Sequence, residues 1–61
     1  MIIHEGDLFR LSSDYLNLDC NTVCECLEDT DMDFEPFVMA KTPEGIMIIP
    51  INKIGYFSKQ Y

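Results

Sequence analysis

The sequence predicts a mainly β protein: a small barrel or a curled antiparallel sheet of four to five short strands, folded as a single domain over residues 1–61. Three stretches carry this expectation. "GDLFRL", Gly6 to Leu11, sets Leu8 on one face and Phe9 and Leu11 on the other. In Thr22 to Glu28, Cys24 and Cys26 alternate with Val23, Glu25 and Leu27. "PFVMAKT", "PEG" and "IMIIP" read as strand, turn and returning strand. Successive side chains of a strand point to opposite faces, so a period of two is its signature.

Taken in order, the elements are short. After Leu11, "SSD" punctuates, and either serine suits a helix N-cap. The next segment admits two readings. Leu16, Cys20, Val23, Cys24 and Leu27 fit a helical stripe, which gives an α+β alternative with one helix near residues 14–28. Asn21, Thr22, Val23 and Cys24 are indifferent helix formers, which favours a strand at Thr22–Glu28 after an irregular connection. In the last third, Gly45 is free to take positive φ at the turn. Ile46, Met47, Ile48 and Ile49 are apolar at both parities, so this strand is expected to be central or covered on both sides. Pro50 cannot donate to a ladder and ends it. "INKIGYF" supplies a turn and a short closing strand. Strand, tight turn, apolar strand ending in Pro, short turn and closing strand, over Phe37–Phe57, resembles the order of small SH3-like barrels. The resemblance is architectural and implies no activity.

A chain of 61 residues buries only about 60% of its unfolded surface, so its core is marginal. Its apolar share, 48%, nonetheless rules out a disordered acidic tail and leaves apolar surface for a second copy or a partner to cover. Cys20, Cys24 and Cys26 are odd in number, and "MIIHEGD" lacks the basic and apolar segments of a signal peptide. Both favour a reducing cytoplasmic setting. The longest apolar run, "IMIIPI", is far too short to span a bilayer.

Charge is divided unevenly. Residues 1–35 hold ten acids against Arg10 alone, a balance of −9, whereas residues 36–61 hold Glu44 against Lys41, Lys53 and Lys59, a balance of +2. The net charge of −7 disfavours direct binding to nucleic acid or an anionic membrane and favours a basic protein, or the basic groove of a nucleic-acid enzyme.

The acids concentrate in "EDTDMDFE", Glu28 to Glu35. Asp29, Asp31 and Asp33 match the first three ligand positions of an EF-hand loop, but Phe34 stands where the turn needs Gly and Ala40 where the site needs a bidentate Glu. Cys20, Cys24, Cys26 and His4 are four possible zinc ligands, yet the C-x3-C-x-C spacing lacks the usual knuckle, and core packing of the thiols is the simpler account. His4 is the only histidine, and acids at 19, 25 and 28 would raise a thiol pKa, so no nucleophile is expected. Neither a cofactor nor a metal is implied, and the chain does not read as an enzyme.

If extended, Asp29, Asp31, Asp33 and Glu35 share a face, at about 6.6–6.8 Å intervals. Such a row would imitate a phosphate backbone before a groove lined by Arg and Lys. The expected function is therefore a small acidic, non-enzymatic protein-binding module. It would be an inhibitor of the phage or mobile-element type, docking through Glu25, Glu28, Asp29, Asp31, Asp33, Phe34 and Glu35. The simpler account is a solvated hairpin loop whose acids confer solubility. Met32 and Phe34 fall on the other side of the row, as anchors or as apolar contacts. The alternative function is an assembly module, homodimeric or larger, joined through Ile46–Ile51 and the aromatics Tyr56, Phe57 and Tyr61, with the acids only solubilising.

Overall fold

The computed structural model describes the backbone of residues 1–58 and the side chains of residues 1–55. The elements are β1 (Ile2–Ile3), β2 (Leu8–Leu11), β3 (Val23–Cys26), β4 (Thr30–Asp31), β5 (Phe37–Thr42), β6 (Gly45–Pro50), a 3₁₀ turn (Ile51–Lys53) and β7 (Ile54–Ser58). Five strands form an antiparallel sheet in the order β6-β5-β3-β2-β7. β1 and β4 pair as a separate ribbon.

Period-two patterning decides what the sheet buries. Phe9 and Leu11 of β2, Cys24 and Cys26 of β3, Val38 and Ala40 of β5, and Ile49 of β6 are buried together. The lid over this inner face comes from outside the sheet: Ile3 of β1 and Leu18 of the β2–β3 loop are buried, with Tyr15 and Met32 packed against them. The opposite face has no lid among the described residues. Phe37 and Met39 of β5, Ile46 and Ile48 of β6 and Val23 of β3 all stand exposed there.

The β5–β6 hairpin lies within one residue of the expected boundaries, β5 starting at Phe37 rather than Pro36 and β6 at Gly45 rather than Ile46. Gly45 takes φ 106°, a conformation that a Cβ disfavours, and Thr42 Oγ1 both donates to the Gly45 carbonyl (2.8 Å) and accepts from Glu44 N–H (3.0 Å). Pro50 closes the strand and the 3₁₀ turn follows. At the other side of the sheet, β7 meets β2 across a register shift between Arg10 and Leu11. A Cβ at Gly55 would lie 2.9 Å from the Ser12 Cβ, so this close approach requires glycine.

Three expectations are corrected. The sheet is not closed into a barrel: β6 and β7 are its two opposite edges, so the antiparallel-sheet reading holds and the barrel does not. Residues 14–28 contain no helix. Asp14 Oδ1 accepts Cys20 N–H (2.7 Å), Tyr15 bridges Leu18, and Leu16 and Asn21 take positive φ, so this segment loops back into β3 and neither serine caps a helix. β6 is neither central nor covered on both sides but an edge strand, because the described residues of so short a chain supply no second layer for Ile46 and Ile48. Tyr61 lies outside the described residues, as do the side chains of Tyr56 and Phe57.

Phe9→Ala removes a ring that is 1% exposed and should cost about 3–5 kcal/mol of unfolding free energy. Phe34→Ala should change stability by no more than about 0.5 kcal/mol. Urea denaturation of both variants checks the contrast, and comparable losses would contradict this assignment of inner and outer positions.

Candidate functional site

The acidic segment is positioned by what precedes and follows it. Leu27 N–H donates to the Met39 carbonyl (2.9 Å), holding the end of β3 beside β5. The Glu28 carbonyl then accepts the Cys26 thiol and the Thr30 hydroxyl, both at 3.0 Å. Thr30, now buried, starts β4, which pairs Ile3 with Thr30 and Ile2 with Asp31. Extended backbone ends at Asp31. Its carbonyl accepts N–H groups from Phe34 (3.1 Å) and Glu35 (2.8 Å), and its Oδ1 accepts Asp33 N–H (3.0 Å). An aspartate that bonds its own downstream backbone favours a turn over a strand.

The expected straight row of four carboxylates is therefore not formed, since Met32, Asp33 and Phe34 occupy the turn itself. The acids flank β1 instead. At one end the Met1 ammonium pairs with Asp33 and lies 3.7 Å from Asp31. At the other, Asp29 Oδ1 accepts Glu5 N–H (2.8 Å) and sits 3.5 Å from His4 Nδ1. These contacts leave their mark on protonation. The hydrogen bond to Asp33 raises the amine above its ordinary 8.0, and the Glu5 N–H, then His4, lower the Asp29 carboxyl below 3.8. All are at the surface, where water screens them and pairing adds little stability.

Met32 turns inward: its N–H donates to the Met1 carbonyl (2.7 Å) and its side chain packs on the core. Phe34 turns outward and is 84% exposed, the highest value among the exposed large hydrophobic residues. Glu28, Asp29, Asp33 and Glu35 are exposed and Asp31 half-buried, so Glu28 to Glu35 remains an acidic loop with one projecting ring. Glu25 stands apart from it. It lies on the outer face of the sheet, in register with Lys41 on one side and Leu8 on the other. Sequence reasoning named Ile46–Ile51 as an assembly surface but missed Val23, Phe37 and Met39, which stand exposed beside Ile46 and Ile48 on the outer face. The available signal was Phe37 and Met39 at one parity beside a run that is apolar at both.

The possible metal ligands do not assemble. Cys24 and Cys26 are buried in the core, Cys20 is exposed and His4 is engaged with Asp29. Among the described residues, no three His, Cys, Asp or Glu side chains gather in a ligating arrangement. All three thiols are free. Among those residues, too, no helix is long and apolar enough to cross a membrane.

Burial pushes the Cys24 and Cys26 thiols above the ordinary 9.0, and acids at 7, 28 and 29 add to the effect at Cys26. A thiol whose folded pKa is raised supports folding fully below its unfolded pKa, and that support is lost as pH rises from there through the folded value. Stability should thus decline from about pH 9 upward, a slope that Cys26→Ala should reduce in pH-dependent urea titrations. With a thiol-reactive dye in native buffer, Cys20 should label quickly, and Cys24 and Cys26 only as the fold opens.

No protein-family model, curated protein or solved structure matches this chain.

Proposed function

We propose that this chain is a small, non-enzymatic protein-binding module that docks its acidic Glu28–Glu35 loop onto a basic protein surface. The observation that carries the reading is Phe34: an aromatic ring 84% exposed on a turn flanked by Asp33 and Glu35. Leaving such a ring in water costs apolar hydration that a partner's pocket would relieve, and aromatics dominate interface hot spots. Asp29, Asp31, Asp33 and Glu35 supply the surrounding field, which steers a cationic partner and disfavours nucleic acid or an anionic membrane.

The turn geometry bears on the kind of partner. A compact acidic loop suits a local patch of Arg and Lys around an apolar hollow. It suits less well a long groove that tracks a phosphate strand, because the carboxylates do not repeat at strand spacing. Occupying a basic patch would block whatever that patch binds, so an inhibitor of a nucleic-acid enzyme remains within the proposal. Three free thiols accord with a reducing cytoplasmic setting.

Affinity capture from the source cell tests this directly. The partner should be lost on raising salt to about 1 M, where the screening length falls to about 3 Å. Phe34→Ser should weaken binding by roughly 30-fold, the scale of a 2 kcal/mol hot spot. Changing Asp29, Asp31, Asp33 and Glu35 together to Asn or Gln should abolish capture. Binding indifferent to salt and to both variants would overturn the proposal.

A further inference from the structure

We infer that β6 is a self-association edge, and that a second copy of this chain pairs with it antiparallel about a twofold axis through Met47. The inference stands on a different surface from the acidic loop and does not depend on it.

The backbone geometry comes first. The Met39 carbonyl accepts Leu27 N–H, so the backbone groups of Met39 and Lys41 face β3. Val38, Ala40 and Thr42 must then bond β6, through their register partners Ile49, Met47 and Gly45. Ile46 and Ile48 are left with N–H and C=O groups directed away from the sheet, and no described strand lies beyond β6. Edge strands usually carry a charge or a bulge against pairing. Between Gly45 and Pro50 this one carries neither, and its two outward-directed residues also expose 69% and 54% of their surface.

Symmetry selects the register. Opposing Ile46 to Ile48 of the second copy, and Ile48 to its Ile46, satisfies all four backbone groups of each copy. Shifting one way calls on Glu44 N–H, which Thr42 Oγ1 already accepts. Shifting the other way opposes Ile46 to Pro50, which has no N–H to give. The chosen register also sets the exposed isoleucine side chains against one another on one face, continuous with Met39 and Phe37.

Charge identifies the occupant as like rather than unlike. The β5–β6 hairpin holds Lys41 and Glu44 and is neutral, within a chain of net charge −7. An antiparallel approach sets Glu44 of each copy beside Pro50 of the other, at the end that leads to Lys53. A basic partner would find no acidic row here, whereas a second copy meets a neutral hairpin and little self-repulsion there. An edge contact is small, so the dissociation constant should be on the order of 10–1,000 µM.

Sedimentation velocity from low to millimolar concentration, paired with amide exchange read by NMR, tests the inference. A monomer–dimer equilibrium is expected. Ile46 and Ile48 amides should gain protection as concentration rises, while Met47, already bonded to β5, does not. Higher salt should strengthen the dimer by screening the net charge, opposite to its effect on docking of the acidic loop. Ile48→Lys should give a monomer at every concentration with the amide spectrum of the fold intact, and Ile46→Lys serves as the second variant. Association that survives both substitutions, or a monomer at millimolar concentration, would overturn the inference. Partner capture by the Ile48→Lys protein separates the two readings: retained capture leaves the acidic-loop proposal standing whichever way the dimer test falls.

Discussion

The structure rests on a shortage of interior. A sheet has two faces, and the described residues cover one. The ribbon of β1 and β4 and the loop around Leu18 are spent on the inner face, over Phe9, Leu11, Cys24, Cys26, Val38, Ala40 and Ile49. The other face must then remain in water with whatever residues parity places there. Glu25, Lys41 and Arg10 suit that position; Phe37, Met39, Ile46 and Ile48 do not.

That shortage links the two surfaces described above. The acidic loop lies where the chain leaves β3 to build the covering ribbon, and its turn returns the chain to β5. Asp31 caps this reversal with its own backbone, and the Met1 ammonium gathers Asp31 and Asp33 at the end of β1. Met32 is drawn inward as part of the lid, and the turn over Met32–Phe34 breaks the alternation that would have carried Phe34 inward with it. The exposed ring is thus a by-product of closing the core. The same economy leaves β6, among the described residues, with β5 on one side and no strand on the other. One surface is acidic and polar around a single aromatic; the other is neutral and aliphatic with unpaired backbone. They are suited to partners of different chemistry.

Much of the sheet was legible in the sequence, because alternation is a local property. The hairpin from Phe37 to Pro50, the turn at Gly45, the shared face of Phe9 and Leu11, and the preference for a strand over Thr22–Glu28, formed at Val23–Cys26, all follow from it. What was not legible depends on tertiary context. Ile46 to Ile49 carry the same apolar pattern whether a second layer exists or not, so burial of Ile46 and Ile48 could not be read from the run itself. The acidic row failed for a local reason that propensity does not weigh: the Asp31 side chain bonds Asp33 N–H and bends the chain out of strand geometry. Of the candidate residues, those from Glu28 to Glu35 share one loop, and Glu25 is separated by a strand parity.

The pairing of β2 with β7 joins Leu8 to Ser58, residues near opposite ends of the described chain. The other pairs in the sheet, β2–β3, β3–β5 and β5–β6, join strands nearer to one another in sequence, so each closes a shorter loop. During synthesis on a ribosome, β2 therefore waits with an open flank until residues 54–58 emerge, and Gly55 alone lets them seat against Ser12. The newborn polypeptide thus leaves β2 open at one margin and β6 at the other, and the arrival of the last strand passes the first of these margins to β7.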